Sequence, residues 1–216
     1  MCIRDRSCLV LSIPPEQGRW LPDDHPEPLR LSGVQSGSRS GPVGSTDGQQ
    51  AVHEGQVVRE AQPAFRGHLQ DGGRLAIRCA MTLSHRSMAA MWLCGFQERP
   101  EDCGELCVTE VFGKDVDPGR SAEVGVGIKA IRDPRLTDDF AAPRLPVDVA
   151  AMHTYAVEWD AEEAVFSVDG EPVRRCAGPP RYPLQIMLAV FDFPGWSRGD
   201  DAGLVPSLTV DWLDAR

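Results

Sequence analysis

The chain alternates between short apolar runs and polar breaks, and no stretch sustains an apolar period of 3.6 residues. Residues 74–83 (RLAIRCAMTL) show the alternation best. Leu75, Ile77, Cys79 and Met81 fall on one side of a strand, and Ala76, Arg78, Ala80 and Thr82 on the other. Gly72 and Gly73 mark the turn before it. The same reading gives strands over 56–61, 89–96, 106–112, 123–128, 153–159, 164–168, 184–191 and 208–213, and a proline-broken loop over 133–147. HTYAVEW and AVFSV, separated by residues 160–163, form the strongest hairpin signal, and Asp169-Gly170 supplies a tight turn into EPVR. Short strands at regular spacing with turn residues between them predict an all-β sandwich.

Composition supports that picture. The 21 Gly and 18 Pro in 216 residues exceed the usual share and favour many turns over long helices. The length suits one domain with a substantial core. No stretch approaches the roughly 18 apolar residues that a membrane-crossing helix needs, so no membrane partner is expected. With 22 basic against 32 acidic residues the net charge is −10, and there is no basic stripe. Nucleic acid is therefore set aside, and a neutral polymer is a better partner than an anionic one. A monomer is expected. The seven cysteines, at 2, 8, 79, 94, 103, 107 and 176, form no CxxC pair and have no His at zinc-ligand spacing. They read as free buried thiols, and no metal or other cofactor is expected.

The N-terminal MCIRDRSCLVLSIPP places Arg4 and Arg6 before an apolar run of only six residues, 8–13. A secretory signal has an apolar region of about 7–15 residues. Residues 1–15 are expected to be an assembly scar or a truncated start, and 16–216 a single domain; cytoplasm and secretion both stay open. The Gly-, Ser-, Pro- and Asp-rich segment 16–55 reads equally as a flexible linker or as a loop crossing a cleft.

The candidate chemistry lies in residues 91–113 (MWLCGFQERPEDCGELCVTEVFG), two apolar strands around a polar turn. Glu105 and Glu110 sit within an apolar run, where an unpaired charge is costly. Two carboxylates facing one cleft are the equipment of glycosidic hydrolysis.

Here the residues resemble glycoside hydrolase family 16. GELCVTEVFG is similar to the family's E-x-D-x-x-E catalytic strand. Met91-Trp92-Leu93 resembles the Trp-bearing strand before it, HTYAVEW with AVFSVDG the H-T-Y-x-x-x-W hairpin, and VPSLTVDWLDAR the closing strand. The resemblance implies a jelly-roll β-sandwich of two antiparallel sheets, concanavalin A-like, with a sugar cleft on its concave face. It implies retaining hydrolysis or transfer on a β-linked glucan or galactan, with Glu105 as nucleophile and Glu110 as acid/base. A structural calcium suits the family, but no ligand set stands out in this sequence. Cys107 stands where the signature has Asp, and a neutral thiol is a poor substitute for that hydrogen-bonding carboxylate.

Strand parity adds a condition. On a regular strand Glu105, Cys107 and Thr109 share a face and Glu110 points the other way. Both carboxylates reach one cleft only if a β-bulge near Val108–Thr109 inserts a residue. Trp92 and Trp196 are the candidates for stacking on sugar rings, and Trp159 and Trp212 read as core. His153 and Arg78 are further substrate-binding candidates, each with a structural alternative: a hydrogen-bonded His and a salt-bridged Arg. Asp169 and Glu171 read as turn residues. Three functions stay open: a glycosidase, a carbohydrate-binding sandwich that lost turnover, and a structural or interaction domain.

Overall fold

A computed structural model describes residues 2–5, 8–49, 53–201 and 203–216, with side chains from residue 8 onward. The principal strands in chain order are β1 (Cys2–Asp5), β2 (Cys8–Ser12), β3 (Arg30–Gln35), β4 (Gly73–Thr82), β5 (Ser87–Gly95), β6 (Glu105–Phe112) and β7 (Gly125–Lys129). They continue with β8 (Asp139–Ala141), β9 (His153–Trp159), β10 (Glu163–Val168), β11 (Glu171–Ala177), β12 (Leu184–Asp192) and β13 (Ser207–Ala215). The back sheet runs β1-β2-β13-β4-β9-β10-β11, and the front sheet β8-β7-β6-β5-β12-β3, with the short strand Leu69–Gln70 also on β12. Every pairing is antiparallel.

The core lies between the sheets and follows from alternation. Leu75, Ile77, Cys79 and Met81 of β4, and Tyr155, Val157 and Trp159 of β9, meet Ala89, Met91 and Leu93 of β5 and Leu106, Val108 and Val111 of β6. Each large side chain so buried contributes about 1.5–3 kcal/mol. Dry packing also pushes the Cys79 thiol up to about 12, so it stays neutral. The turn after β10 carries φ of +50° at Asp169 and +86° at Gly170, the conformation a two-residue hairpin loop of this twist needs.

Several expectations from sequence are corrected. Residues 56–61 are not a strand; Val58 exchanges hydrogen bonds with the turn at Gly44 and Ser45, and Val57 stays exposed. The loop 133–147 carries β8 and the short strand Arg144–Leu145, which pairs with Ser121–Glu123. Segment 16–55 is no linker, because β3 within it forms the edge of the front sheet. Trp212 is 39% exposed. The β13–β4 register slips between Val210 and Trp212, which pairs Trp212 with the outward Arg78 and breaks the parity that would have buried it.

Cys8–Ser12, set outside the domain by the sequence reading, pairs with β13, and Leu11 and Ile13 are fully buried in the core. The remaining part of that expectation falls partly on Met1, Arg6 and Ser7, which lie outside the described residues. Leu11→Ala should therefore cost about 2–5 kcal/mol, read as a lower urea midpoint. An unchanged midpoint would mean that this segment contributes nothing to the core.

Candidate active site

The carboxylates of β6 reach one face through a bulge. Across β5 the register steps from Met91↔Thr109 to Trp92↔Cys107, so Val108 has no partner of its own. The β7 side shows the same extra residue, with Gly125 opposite Glu110 and Gly127 opposite Cys107. Leu106, Val108 and Val111 point into the core, and Glu105, Cys107 and Glu110 line one cavity on the outer face of the front sheet. The geometric condition set by strand parity is met at Val108–Thr109. Thr109 is 1% exposed, and its hydroxyl has no hydrogen-bond partner.

The pairings arrange that outer face in rows across the strands. One row holds Gly33, Ala189, Ala90 and Glu110, ending at Gly125. On one side of it stand Leu31, Phe191, Met88 and Phe112, and on the other Gln35, Met187, Trp92 and Cys107. A line of Gly and Ala between two rows of large side chains is a trough, and it leads to Glu110. A cavity of about 130 Å³ surrounds Glu105, Cys107, Glu110 and Lys129. It shares Trp92 and Phe191 with a larger one of about 510 Å³. Trp20, Ser38, Arg39 and Gln49 wall the larger cavity, so the 16–55 segment borders the cleft.

The charges at the trough's end are paired. Lys129 Nζ donates to Glu110 Oε2 at 2.8 Å and lies 4.4 Å from the centre of the Phe140 ring. Burial works against the Lys129 ammonium, but the carboxylates around it, with Glu110 in hydrogen-bond contact and Glu105 beside it, favour the charged form and raise it. Burial, with the Glu110 and Glu105 carboxylates beside it, drives Cys107 well above the usual thiol range despite Lys129. Cys107 is therefore a neutral S–H, which donates to the Gly125 carbonyl at 3.7 Å. Arg39, in the larger cavity, is neutralised by a bidentate pair with Asp47 at 3.0 Å.

The family model of glycosyl hydrolases family 16 matches residues 73–214, about two thirds of the chain. The chain belongs to glycosyl hydrolase family 16. Among solved structures, it resembles the GlcNAcα1-4Gal-releasing endo-β-galactosidase from Clostridium perfringens, with a TM-score of 0.79 and 19% identity over 99% of this chain. The chain spans 52% of that protein, about half its length. It also resembles the catalytic domain of an endo-1,3-β-glucanase (laminarinase) from Thermotoga petrophila RKU-1, with a TM-score of 0.61 and 16% identity over 97% of this chain and 77% of that one. A third is a family 16 protein of the Bacteroides ovatus mixed-linkage glucan locus in complex with a product, with a TM-score of 0.55 and 13% identity over 85% and 80% of the two chains. A search of curated proteins found no match.

Two ionic networks centred on buried aspartates hold the cleft of this family 16 domain in place. Tyr182 Oη accepts the Gly104 N–H at 2.8 Å and donates to Asp133 Oδ2 at 2.9 Å; Arg135 grips Asp133 and Asp102, each at 2.7 Å. Gly104 directly precedes Glu105, so this network fixes where β6 begins. At the other wall, fully buried Asp192 is held by Arg30 Nε at 2.8 Å and Arg86 Nε at 2.7 Å. It anchors the end of β12, from which Phe191 and Phe193 emerge. Phe193 stacks on Trp196 with ring centres 4.4 Å apart, and both pack near Phe112. Trp196 thus joins an aromatic wall beside the trough, and Trp92 stands in the opposite row, its ring centre 6.1 Å from that of Phe191.

Two sequence candidates lie elsewhere. Arg78 is on the outer face of the back sheet, bound to Asp211 at 3.1 Å and the Met152 carbonyl at 3.3 Å, with the core between it and Glu105. His153 also belongs to the back sheet, 2.6 Å from Asp169 and 3.1 Å from the Asp148 carbonyl, where it braces the hairpin turn. Both were chosen by position on a strand, which does not say which sheet the strand joins. Lys129, Phe140, Phe191 and Trp20 went unnoticed. A lone Lys at a strand end carries no signal until the register is known. Among the described residues no group of three or more His, Cys, Asp or Glu is placed to hold a metal ion, and the cysteines from Cys8 onward form no disulfide.

Burial pushes Asp133 up, but the hydrogen bonds from Arg135 and Tyr182 outweigh it and hold the carboxyl below its ordinary range. The stability it contributes is full above the unfolded carboxylate value and is lost as pH falls through the lower folded value. Unfolding free energy should therefore drop on acidification below about pH 4. Tyr182→Phe, which orphans a buried N–H and removes a donor to Asp133, should cost about 1–3 kcal/mol in a denaturant titration.

Proposed function

We propose that the domain is a retaining glycoside hydrolase acting on a β-linked glucan or galactan, with Glu105 as nucleophile and Glu110 as acid/base. The observation that carries this reading is the bulge at Val108, which turns both carboxylates to one face at the end of the Gly/Ala trough. In the first step a Glu105 carboxylate oxygen bonds to the anomeric carbon as the glycosidic C–O bond breaks. The leaving oxygen takes its proton from Glu110. In the second step Glu110 accepts a proton from water, whose oxygen bonds to the anomeric carbon and releases Glu105. A hydroxyl of another sugar in place of water gives transfer.

A neutral chain suits the cleft. Its walls are aromatic rings, amides and a hydroxyl, and its cations Arg39 and Lys129 are already paired with carboxylates. Trp92, which lines both cavities, offers a ring face to sugar C–H groups; Trp196, stacked on Phe193 with the Lys114 ammonium 5.2 Å from its ring, backs the aromatic wall. The named activities of the similar structures, on a β-galactoside and a β-1,3-glucan, span the substrate class proposed. A second reading, carbohydrate binding without turnover, draws on Cys107, which stays an uncharged thiol where the family signature has a carboxylate.

A panel of β-1,3-glucan, β-1,3/1,4-glucan and galactan polymers tests both. Turnover should appear on at least one polymer and vanish in Glu105→Gln, and Glu110→Gln should lower kcat by about 10²–10⁴-fold. Binding without turnover would favour the second reading. Cys107→Asp should raise the rate; a rate that stays the same would mean another group has taken over that position.

A further inference from the structure

We propose that Trp20 is a specificity-determining residue of this cleft: its indole holds about the third sugar ring from the cleavage point, so that the site favours long chains over short ones. The inference rests on the reading of the trough as the place where Glu105 and Glu110 cut a β-linked chain.

The reach follows from the sheet. The trough crosses β6, β5, β12 and β3 in turn. Adjacent strands lie about 4.8 Å apart, so the floor from Glu110 to Gly33 spans about 14 Å. A sugar ring in an extended β-linked chain advances it by about one such spacing. The smaller cavity, which holds the carboxylates, meets the larger at Trp92 and Phe191, whereas Trp20 lines only the larger. The Trp20 backbone N–H donates to the Leu29 carbonyl at 2.8 Å, just ahead of β3. Trp20 therefore stands at the end of the cleft remote from the carboxylates.

This indole has no part in the core. It is half-buried and outside the core cluster, and its segment precedes residues 73–214, which the family model matches. Its position is nevertheless fixed from several sides. Leu21, next to it, has φ of +44°, a left-handed conformation that a bulky residue rarely takes. The N–H groups of Asp24 and His25 close that turn on the Leu21 carbonyl, at 3.1 and 2.8 Å. Arg59 pins the turn through Asp24 at 2.7 Å, and the His25 ring lies 5.9 Å from the indole, centre to centre. Backbone strain persists only where the surrounding contacts over-determine it. Here they hold a ring against a cavity of about 510 Å³, the size of a small-molecule site. Gln35 of β3 lines the same cavity and is exposed. A ring face for sugar C–H groups and an amide for sugar hydroxyls thus share one end of the trough.

The test uses the full chain carrying Glu105→Gln, so that binding is read without turnover, and β-1,3-linked gluco- and galacto-oligosaccharides from disaccharide to hexasaccharide. Affinity by calorimetry should rise between the disaccharide and the tetrasaccharide. Trp20→Ala should weaken the longer ligands by about 10- to 30-fold and leave the disaccharide unchanged. Trp20→Phe, which keeps a ring face, should restore most of the loss. With Glu105 intact, Trp20→Ala should raise KM for the longer oligosaccharides and leave kcat alone. A loss shared equally by every length means that Trp20 only braces the wall, and overturns the inference; so does an affinity that Trp20→Ala leaves unchanged. Turnover that Glu105→Gln abolishes, with a length profile the same in Trp20→Ala as in the parent, overturns the inference and leaves the catalytic reading standing. Length-dependent binding through Trp20 in a chain that turns over nothing supports the inference and overturns the catalytic reading.

Discussion

One inserted residue governs the functional face of this molecule. A strand that packs against a core must alternate, and β6 does so through Leu106 and Val108. Without Val108 as an extra residue, Glu110 would take an inward position and Val111 an outward one. The bulge restarts the alternation, keeping Val111 in the core and turning Glu110 outward beside Cys107. Both neighbouring strands register the same slip, so the distortion is held from two sides. An uncompensated charge in the core would cost far more than a local break in the ladder.

Around that strand the fold divides labour between its sheets. The back sheet supplies packing, and its polar outer face is occupied by pairs such as Arg78–Asp211 and Arg74–Glu158. The front sheet supplies the trough, and two ionic networks centred on the buried Asp133 and Asp192 sit at opposite ends of that surface. One fixes Gly104 ahead of Glu105; the other fixes Asp192 behind the aromatic wall. Buried charges of this kind add little net stability compared with apolar packing, but they tolerate few alternative arrangements.

Much of this was legible in the chain. Period-two alternation located β4, β9 and β10, and the GELCVTEVFG motif with strand parity called for the bulge at its observed place. The failures have physical causes. In β3 (RLSGVQ) the outward positions are Leu31, Gly33 and Gln35, and the trough needs Gly33 small, so the apolar pattern of a strand is lost. Trp212 was misjudged because a second bulge, in β13, reversed its parity without any sequence mark. Arg78 and His153 lie on strands, as expected, but those strands belong to the back sheet, where each takes the structural alternative the sequence also offered. Lys129 became visible only with the long-range pairing of β7 on β6, since its meaning lies in which carboxylate it reaches.

Gly33, Ala189 and Ala90 lie on three neighbouring strands whose other faces are anchored in the core or at its edge. Ala189 and Ala90 are 3% exposed, and a Cβ on Gly33 would sit 3.0 Å from the Leu188 carbonyl oxygen and 3.3 Å from Cβ of Ala189. The floor of the trough is packed as closely as the core beneath it. A methyl or two added at any of them would raise the floor of the trough and press on a neighbouring strand at once. The depth of the trough and the spacing of the front-sheet strands are therefore one dimension, and neither changes without the other.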